Sequence, residues 1–140
     1  GFYHCNIKTL NLIPNVMAAQ QASEAGCNET VFVRDGYVTE CSHSNISMVK
    51  DGVFITHPLD NLILPGTERK HIIRWCGELG IPVKERAFTL EELYTADEIL
   101  VTSTSHPSMR AMELNQKAVG MKNPELIQKL RDKYLNEIGK

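Results

Sequence analysis

Residues 30–57 read TVFVRDGYVTECSHSNISMVKDGVFITH. Two Asp-Gly pairs punctuate this stretch, Asp35-Gly36 between TVFVR and YVTE, and Asp51-Gly52 between NISMVK and VFITH. Such a pair supplies the backbone freedom that a two-residue hairpin turn needs, and the flanking runs are rich in β-branched and apolar residues. Four antiparallel strands are therefore predicted from this stretch alone. Working toward the N-terminus, Cys5–Leu10 alternates loosely like a strand. Leu10, Ile13, Val16 and Met17 then recur at helical spacing, with Pro14 suited to a first turn and Gly26 to a helix end.

Toward the C-terminus, Leu62-Ile63-Leu64 forms a short strand-like run that stops at Pro65-Gly66. Ile72, Ile73, Trp75, Cys76 and Leu79 then mark an amphipathic helix entered through Gly66. A strand is predicted over Pro82–Ala87, and a short helix over Leu90–Ala96 opened by a Thr89-x-x-Glu92 capping box. Glu98–Thr102 reads as a buried strand and Met109–Leu114 as an extended one. Asn123-Pro124 caps a last helix carrying Leu126, Leu130 and Tyr134 on one face. Mixed elements with local hairpins predict a single α+β domain with a mixed, largely antiparallel sheet and packed helices.

Composition narrows the possible roles. A chain of 140 residues with 42% hydrophobic and 23% charged residues can bury one ordinary core. A net charge of -2 gives no electrostatic reason to expect nucleic acid or an anionic membrane as partner. No apolar run approaches the roughly 18 residues of a membrane span, and the first residues lack a secretory pattern, so a soluble chain is expected. Cys5, Cys27, Cys41 and Cys76 are scattered without a C-x-x-C pair, which reads as a reduced, cytoplasmic protein. Cys41-x-His43 offers too few ligands for a closed metal site, and no metal is expected.

Three features have the chemistry to bind something. Gly66-Thr67 stands at a helix N-terminus, whose unpaired N–H groups suit an anion, although Thr67 also serves as a plain cap. The hydroxyl cluster Thr102-Ser103-Thr104-Ser105 ends a buried strand and could line an anion cradle or a solvated loop. Lys8 and Glu40 pair a candidate amine nucleophile with a candidate carboxylate partner for a cationic ring nitrogen, or are two surface charges.

Asn6-Ile7-Lys8-Thr9-Leu10-Asn11-Leu12, Val38-Thr39-Glu40, Ser44-Asn45, Thr56-His57-Pro58, Leu62-Ile63-Leu64-Pro65-Gly66 and Ser103-Thr104 resemble successive motifs of the fold-type-IV aminotransferases, in that family's order and spacing. The resemblance covers essentially the whole chain and is closest to the D-amino-acid aminotransferases. Branched-chain aminotransferases and aminodeoxychorismate lyases share the architecture. The resemblance implies a pseudo-barrel domain holding pyridoxal 5′-phosphate, with residues 1–140 as the C-terminal cofactor-binding domain of a longer, homodimeric enzyme. It implies that Lys8 carries the cofactor covalently and then moves the substrate proton. Glu40 would partner the pyridinium nitrogen, and Leu64 would pack on the ring. Gly66, Thr67 and Thr104 would hold the phosphate, and Ser44 and Asn45 would lie on the strand beside the cofactor. The implied reaction converts D-alanine and 2-oxoglutarate to pyruvate and D-glutamate. A lyase, a branched-chain enzyme and a non-catalytic binding relative are the other readings.

Two positions depart from the family pattern. Gly66-Thr67-Glu68-Arg69 has a carboxylate at position 68 of the cofactor site, where the family commonly has a hydroxyl. A desolvated glutamate there would repel phosphate by several kcal/mol. Cys41-Ser42-His43 replaces a glycine and small hydroxyl residues, and His43 would add a titratable group on the substrate side. With so few residues before Lys8, the preceding domain and its arginines are expected elsewhere in the protein, leaving this piece alone with weak cofactor binding and little activity.

Overall fold

The computed structural model describes residues 2–11, 27–41, 45–57, 67–102 and 109–137. Among these residues ten strands form one sheet: β1 Phe2–Asn11, β2 Cys27–Arg34, β3 Tyr37–Cys41, β4 Asn45–Lys50, β5 Val53–Thr56, β6 Val83–Glu85, β7 Phe88–Thr89, β8 Glu98–Thr102, β9 Met109–Leu114 and β10 Lys117–Ala118. Three helices accompany them among the described residues, α1 Thr67–Leu79, α2 Leu90–Tyr94 and α3 Pro124–Glu137. The strand order is β6-β5-β4-β8-β9-β1-β2-β3-β7, with β10 beside β9.

Both hairpins form at the Asp-Gly pairs. Asp35 and Gly36 take φ of 53° and 83°, and Asp51 and Gly52 take 53° and 77°, the left-handed pair that a tight hairpin turn requires. Every pairing is antiparallel except β5 with β6. That pair is joined through α1, so β5, α1 and β6 form a crossover unit.

Chain connectivity forces the sheet to curl. Cys41 ends β3 and Asn45 opens β4, so their Cα atoms lie within about 14 Å. In a flat sheet of this order the two strands would stand five spacings apart, about 24 Å. The sheet therefore bends into a half-barrel. Its inner face buries Cys5, Ile7, Val31, Val33, Val38 and Val101 against Leu93 of α2. The outer face of β4, β5 and β8 carries Val49, Phe54 and Leu100, covered by Ile72 and Trp75 of α1 and by Leu126 and Leu130 of α3. An ionic rim joins these helices: Arg74 pairs with Glu78 at 3.0 Å and Glu137 at 2.6 Å, Lys133 with Glu78 at 2.7 Å, and the Trp75 indole N–H donates to Glu137 at 2.8 Å.

The elements differ from the sequence expectations in a few places. Leu10, counted with a helix, lies in β1, which runs to Asn11; the rest of that helix falls outside the described residues, as does Leu62–Leu64. β2 opens at Cys27 because its first residues pair with Lys8 and Thr9. The strand expected over Pro82–Ala87 is only three residues long, and the α2 helix ends at Tyr94. β10 has no counterpart in the sequence reading; it returns through Asn115 and Gln116, at φ 50° and 69°. The capping box on α2 is present in full, with Thr89 Oγ1 accepting from the Glu92 N–H at 3.1 Å and the Glu92 carboxylate accepting from the Thr89 N–H at 3.0 Å.

Candidate active site

Alternation along β1 separates two sets of side chains. Cys5, Ile7 and Thr9 are buried, Cys5 and Ile7 in the inner core, whereas His4 and Asn6 are exposed and Lys8 and Leu10 half-buried. Lys8 therefore projects from the outer face. The same face can be followed across the sheet, because Leu10, Arg110, Leu100, Ser47 and Thr56 stand in one register row. Two residues further along, Thr102 of β8 is paired with Asn45 of β4. Lys8 thus shares a face with a buried polar end of the sheet made of Asn45, Ser47, Thr56 and Thr102.

Two bulges bracket the candidate residues. Across from β1, β9 runs from Glu113, opposite Lys8, to Ala111, opposite Thr9, so Met112 is the extra residue. On β3, Val38 faces Val33 and Cys41 faces Val31, so Thr39 and Glu40 together stand opposite Phe32. The Thr39 hydroxyl donates to the Phe32 carbonyl at 3.2 Å. Strict alternation would keep position 40 in the row of Val38, which faces the core; the bulge breaks that alternation. Lys8 and Phe32 are then four residues apart along the strands, about 13 Å, and Glu40 lies a further strand away, about 10 Å across from β1. This spacing is too wide for a direct ion pair.

The Lys8 amine has no hydrogen-bond or ion-pair partner among the described residues. Asn6, Ile7, Lys8, Glu113 and Gln116 line a cleft of about 340 Å³. At the polar end, Ser47 Oγ donates to Thr56 Oγ1 at 2.9 Å. Thr102 Oγ1, on a residue only 2% exposed, has no hydrogen-bond partner among the described residues. A hydroxyl withdrawn from water without a partner costs about 1–3 kcal/mol, so this atom marks a place where a ligand oxygen would be welcome.

Because β5 and β6 run parallel, the intervening α1 returns antiparallel to them, so that it opens toward the edge of the sheet where β5 ends. The opening N–H groups of a helix carry a positive partial charge. The end of β8, the start of β4 and the end of β5 lie side by side there.

Of the residues predicted from sequence, Lys8 and Asn45 are found on this face, and Glu40, Thr67 and Glu68 are located by backbone, on β3 and in the first turn of α1. Ser44, Leu64, Gly66 and Thr104 lie outside the described residues. Sequence reading did not place Ser47 and Thr56 in the site. Their signal was a hydroxyl set within the otherwise apolar runs NISMV and VFIT. Elsewhere, burial pushes the Cys76 thiol up to about 12, so it stays protonated and unreactive. Among the described residues, no cluster of His, Cys, Asp or Glu is arranged to hold a metal ion. No described helix is long and apolar enough to cross a membrane.

The curled sheet thus carries Lys8 on its outer face and a set of buried hydroxyls at one end of that face. Residues 2–114 match the class IV amino-transferases, and the chain belongs to that family. It is 43% identical over 136 residues to the D-alanine aminotransferase of Listeria monocytogenes serotype 4b (strain F2365), covering 96% of this chain and 47% of that protein. To the D-alanine aminotransferase of Bacillus licheniformis it is 38% identical over 141 residues, covering 97% and 50%. The chain thus spans about half the length of these curated relatives. Among solved structures, the branched-chain aminotransferase of the archaeon Thermoproteus uzoniensis with norvaline aligns with a TM-score of 0.68 and 33% identity, over 85% of this chain and 40% of that one. The T.th. branched-chain amino acid aminotransferase complexed with N-(5′-phosphopyridoxyl)-L-glutamate aligns at 0.70 and 30%, over 86% and 41%.

Proposed function

We propose that this chain is the C-terminal, cofactor-holding half of a pyridoxal 5′-phosphate-dependent aminotransferase that carries the amino group of a D-amino acid, D-alanine foremost, to 2-oxoglutarate, releasing pyruvate and D-glutamate. The observation that carries the reading is the shared outer face: Lys8 at one end, the hydroxyl-lined end by α1 at the other, and Glu40 at the bulge. The unpartnered Thr102 hydroxyl and the free Lys8 amine fit a phosphorylated aldehyde. When bound, the cofactor supplies a covalent tether and an electron sink for the carbanion formed at the substrate Cα.

Lys8 would hold the cofactor through Nζ and would move a proton at the substrate Cα; both tasks require its neutral amine. Glu40 keeps the ring nitrogen protonated, which maintains the sink. The first turn of α1, with Gly66 and Thr67, and Thr104 beyond β8 anchor the phosphate, while Ser44 and Asn45 border the ring and Leu64 packs on it. A preceding domain supplies the arginine contacts to substrate, and two copies of the complete chain form a homodimer in the cytoplasm. Identity to two D-alanine aminotransferases, higher than to the branched-chain structures, favours the D-amino acid. The test is an assay of the intact protein with 2-oxoglutarate and either D-alanine or L-leucine, and separately with aminodeoxychorismate. Pyruvate formed from D-alanine in preference to turnover of the others is expected; preferred turnover of L-leucine, or elimination from aminodeoxychorismate, would overturn the substrate assignment.

A further inference from the structure

Thr102 is the last residue of β8 and is 2% exposed, yet its hydroxyl has no hydrogen-bond partner among the described residues. Alternation along β8 puts it on the face of Leu100, which packs under Ile72 and Trp75 of α1. Its register partner on β4 is Asn45, and the next row toward the middle of the sheet holds the Ser47–Thr56 hydroxyl pair, already bonded at 2.9 Å. The neighbouring hydroxyls therefore satisfy each other, and Thr102 is left over. The crossover opens α1 toward the edge of the sheet where β5 ends. A helix of 13 residues that opens toward this end of the sheet and an orphaned buried hydroxyl at the end of β8 together point to one anionic ligand.

We propose that Thr102 is a further cofactor-anchoring residue: its hydroxyl donates a hydrogen bond to an oxygen of the cofactor phosphate, beneath the contacts made by the first turn of α1. This rests on the pyridoxal-phosphate reading above. The hydroxyl is kept in a buried strand because the ligand, not the protein, is its partner. Valine has the same shape without the donor, so the role makes opposite predictions for the two states of the protein. Without cofactor, Thr102→Val removes an unsatisfied group and leaves stability equal or higher. With cofactor, it removes a phosphate contact and weakens binding.

The experiment uses the intact protein as wild type, Thr102→Val and Thr102→Ser. Dissociation constants are measured by absorbance titration for pyridoxal 5′-phosphate and for pyridoxal, which lacks the phosphate, and thermal unfolding is followed without ligand and with each. Thr102→Val should bind pyridoxal 5′-phosphate about tenfold more weakly, the scale of a charge-assisted hydrogen bond. Its affinity for pyridoxal should be unchanged, its ligand-free midpoint should equal or exceed wild type, and Thr102→Ser should bind near the wild-type level. Equal loss toward pyridoxal, a lowered ligand-free midpoint, or unchanged phosphate affinity each overturns the assignment. Failure of the wild type itself to bind pyridoxal 5′-phosphate overturns the reading of the whole site, a result distinguishable from the others.

Discussion

At residue scale, the most informative comparison is between Lys8 and Glu68. Lys8 was one lysine among many in the sequence; what distinguishes it in the fold is a place on the outer face, opposite Glu113 at a bulge, with an amine left unpaired among the described residues. Neither the face nor the bulge was legible in CNIKTL, because a bulge exists only in the register between two strands. Glu68 lies in the first turn of α1, where a carboxylate suits the helix dipole but opposes a phosphate. Replacing it by the hydroxyl common in the family resolves that conflict toward the ligand. Glu68→Thr should tighten cofactor binding by roughly three- to tenfold at low salt, with the gain shrinking as salt rises, measured by titration at two ionic strengths. An unchanged constant would show that Glu68 does not sense the phosphate.

At element scale, β8, β9 and the start of α3 are clamped by one buried ion pair. Arg110 donates to both oxygens of Glu98 at 2.7 and 2.6 Å, Glu98 is fully buried, and the Asn123 N–H adds a bond at 2.8 Å. Arg110→Ala would strand that carboxylate and should lower unfolding free energy by about 3–5 kcal/mol, read from urea denaturation. A loss under about 1 kcal/mol would mean the clamp is replaceable by solvent. The α2 cap gives a prediction with a pH sign. The Arg86 guanidinium, then the Thr89 backbone, holds the Glu92 carboxyl below its ordinary value, and Arg86 pairs with it at 2.8 Å. A folded pKa below the unfolded one gives stability that is present above the unfolded value and lost as pH falls through the folded one. Glu92→Gln should therefore lower stability at neutral pH and flatten its decline on acidification below about pH 4.5, measured by thermal midpoints across that range. A parallel decline in both proteins would contradict the assigned role.

At the scale of the whole molecule, hairpins, the capping box and the last helix were legible because each is a local pattern. Asp-Gly turns, Thr89-x-x-Glu92 and Asn123-Pro124 act within a few residues, and Asn123 Oδ1 does accept from the Leu126 N–H at 3.2 Å. Pairings between distant segments were not legible: β6 beside β5, β8 beside β4 and β9 beside β1 exist only in the register of the folded sheet. The site is likewise non-local. Its motifs were readable as a family resemblance, while the common face that unites Lys8 with the hydroxyl end emerged only from the register.

That common face makes one claim sharper than any other, that Lys8 is the cofactor-bearing amine. The intact protein, incubated with pyridoxal 5′-phosphate and reduced with borohydride, can be digested and read by mass spectrometry. The phosphopyridoxyl group should be fixed on the peptide at Lys8, and Lys8→Ala should abolish both the label and the visible absorption, lowering turnover by at least about 10²–10⁴-fold. Label on another lysine with Lys8 unmodified, or undiminished turnover by Lys8→Ala, would contradict the account.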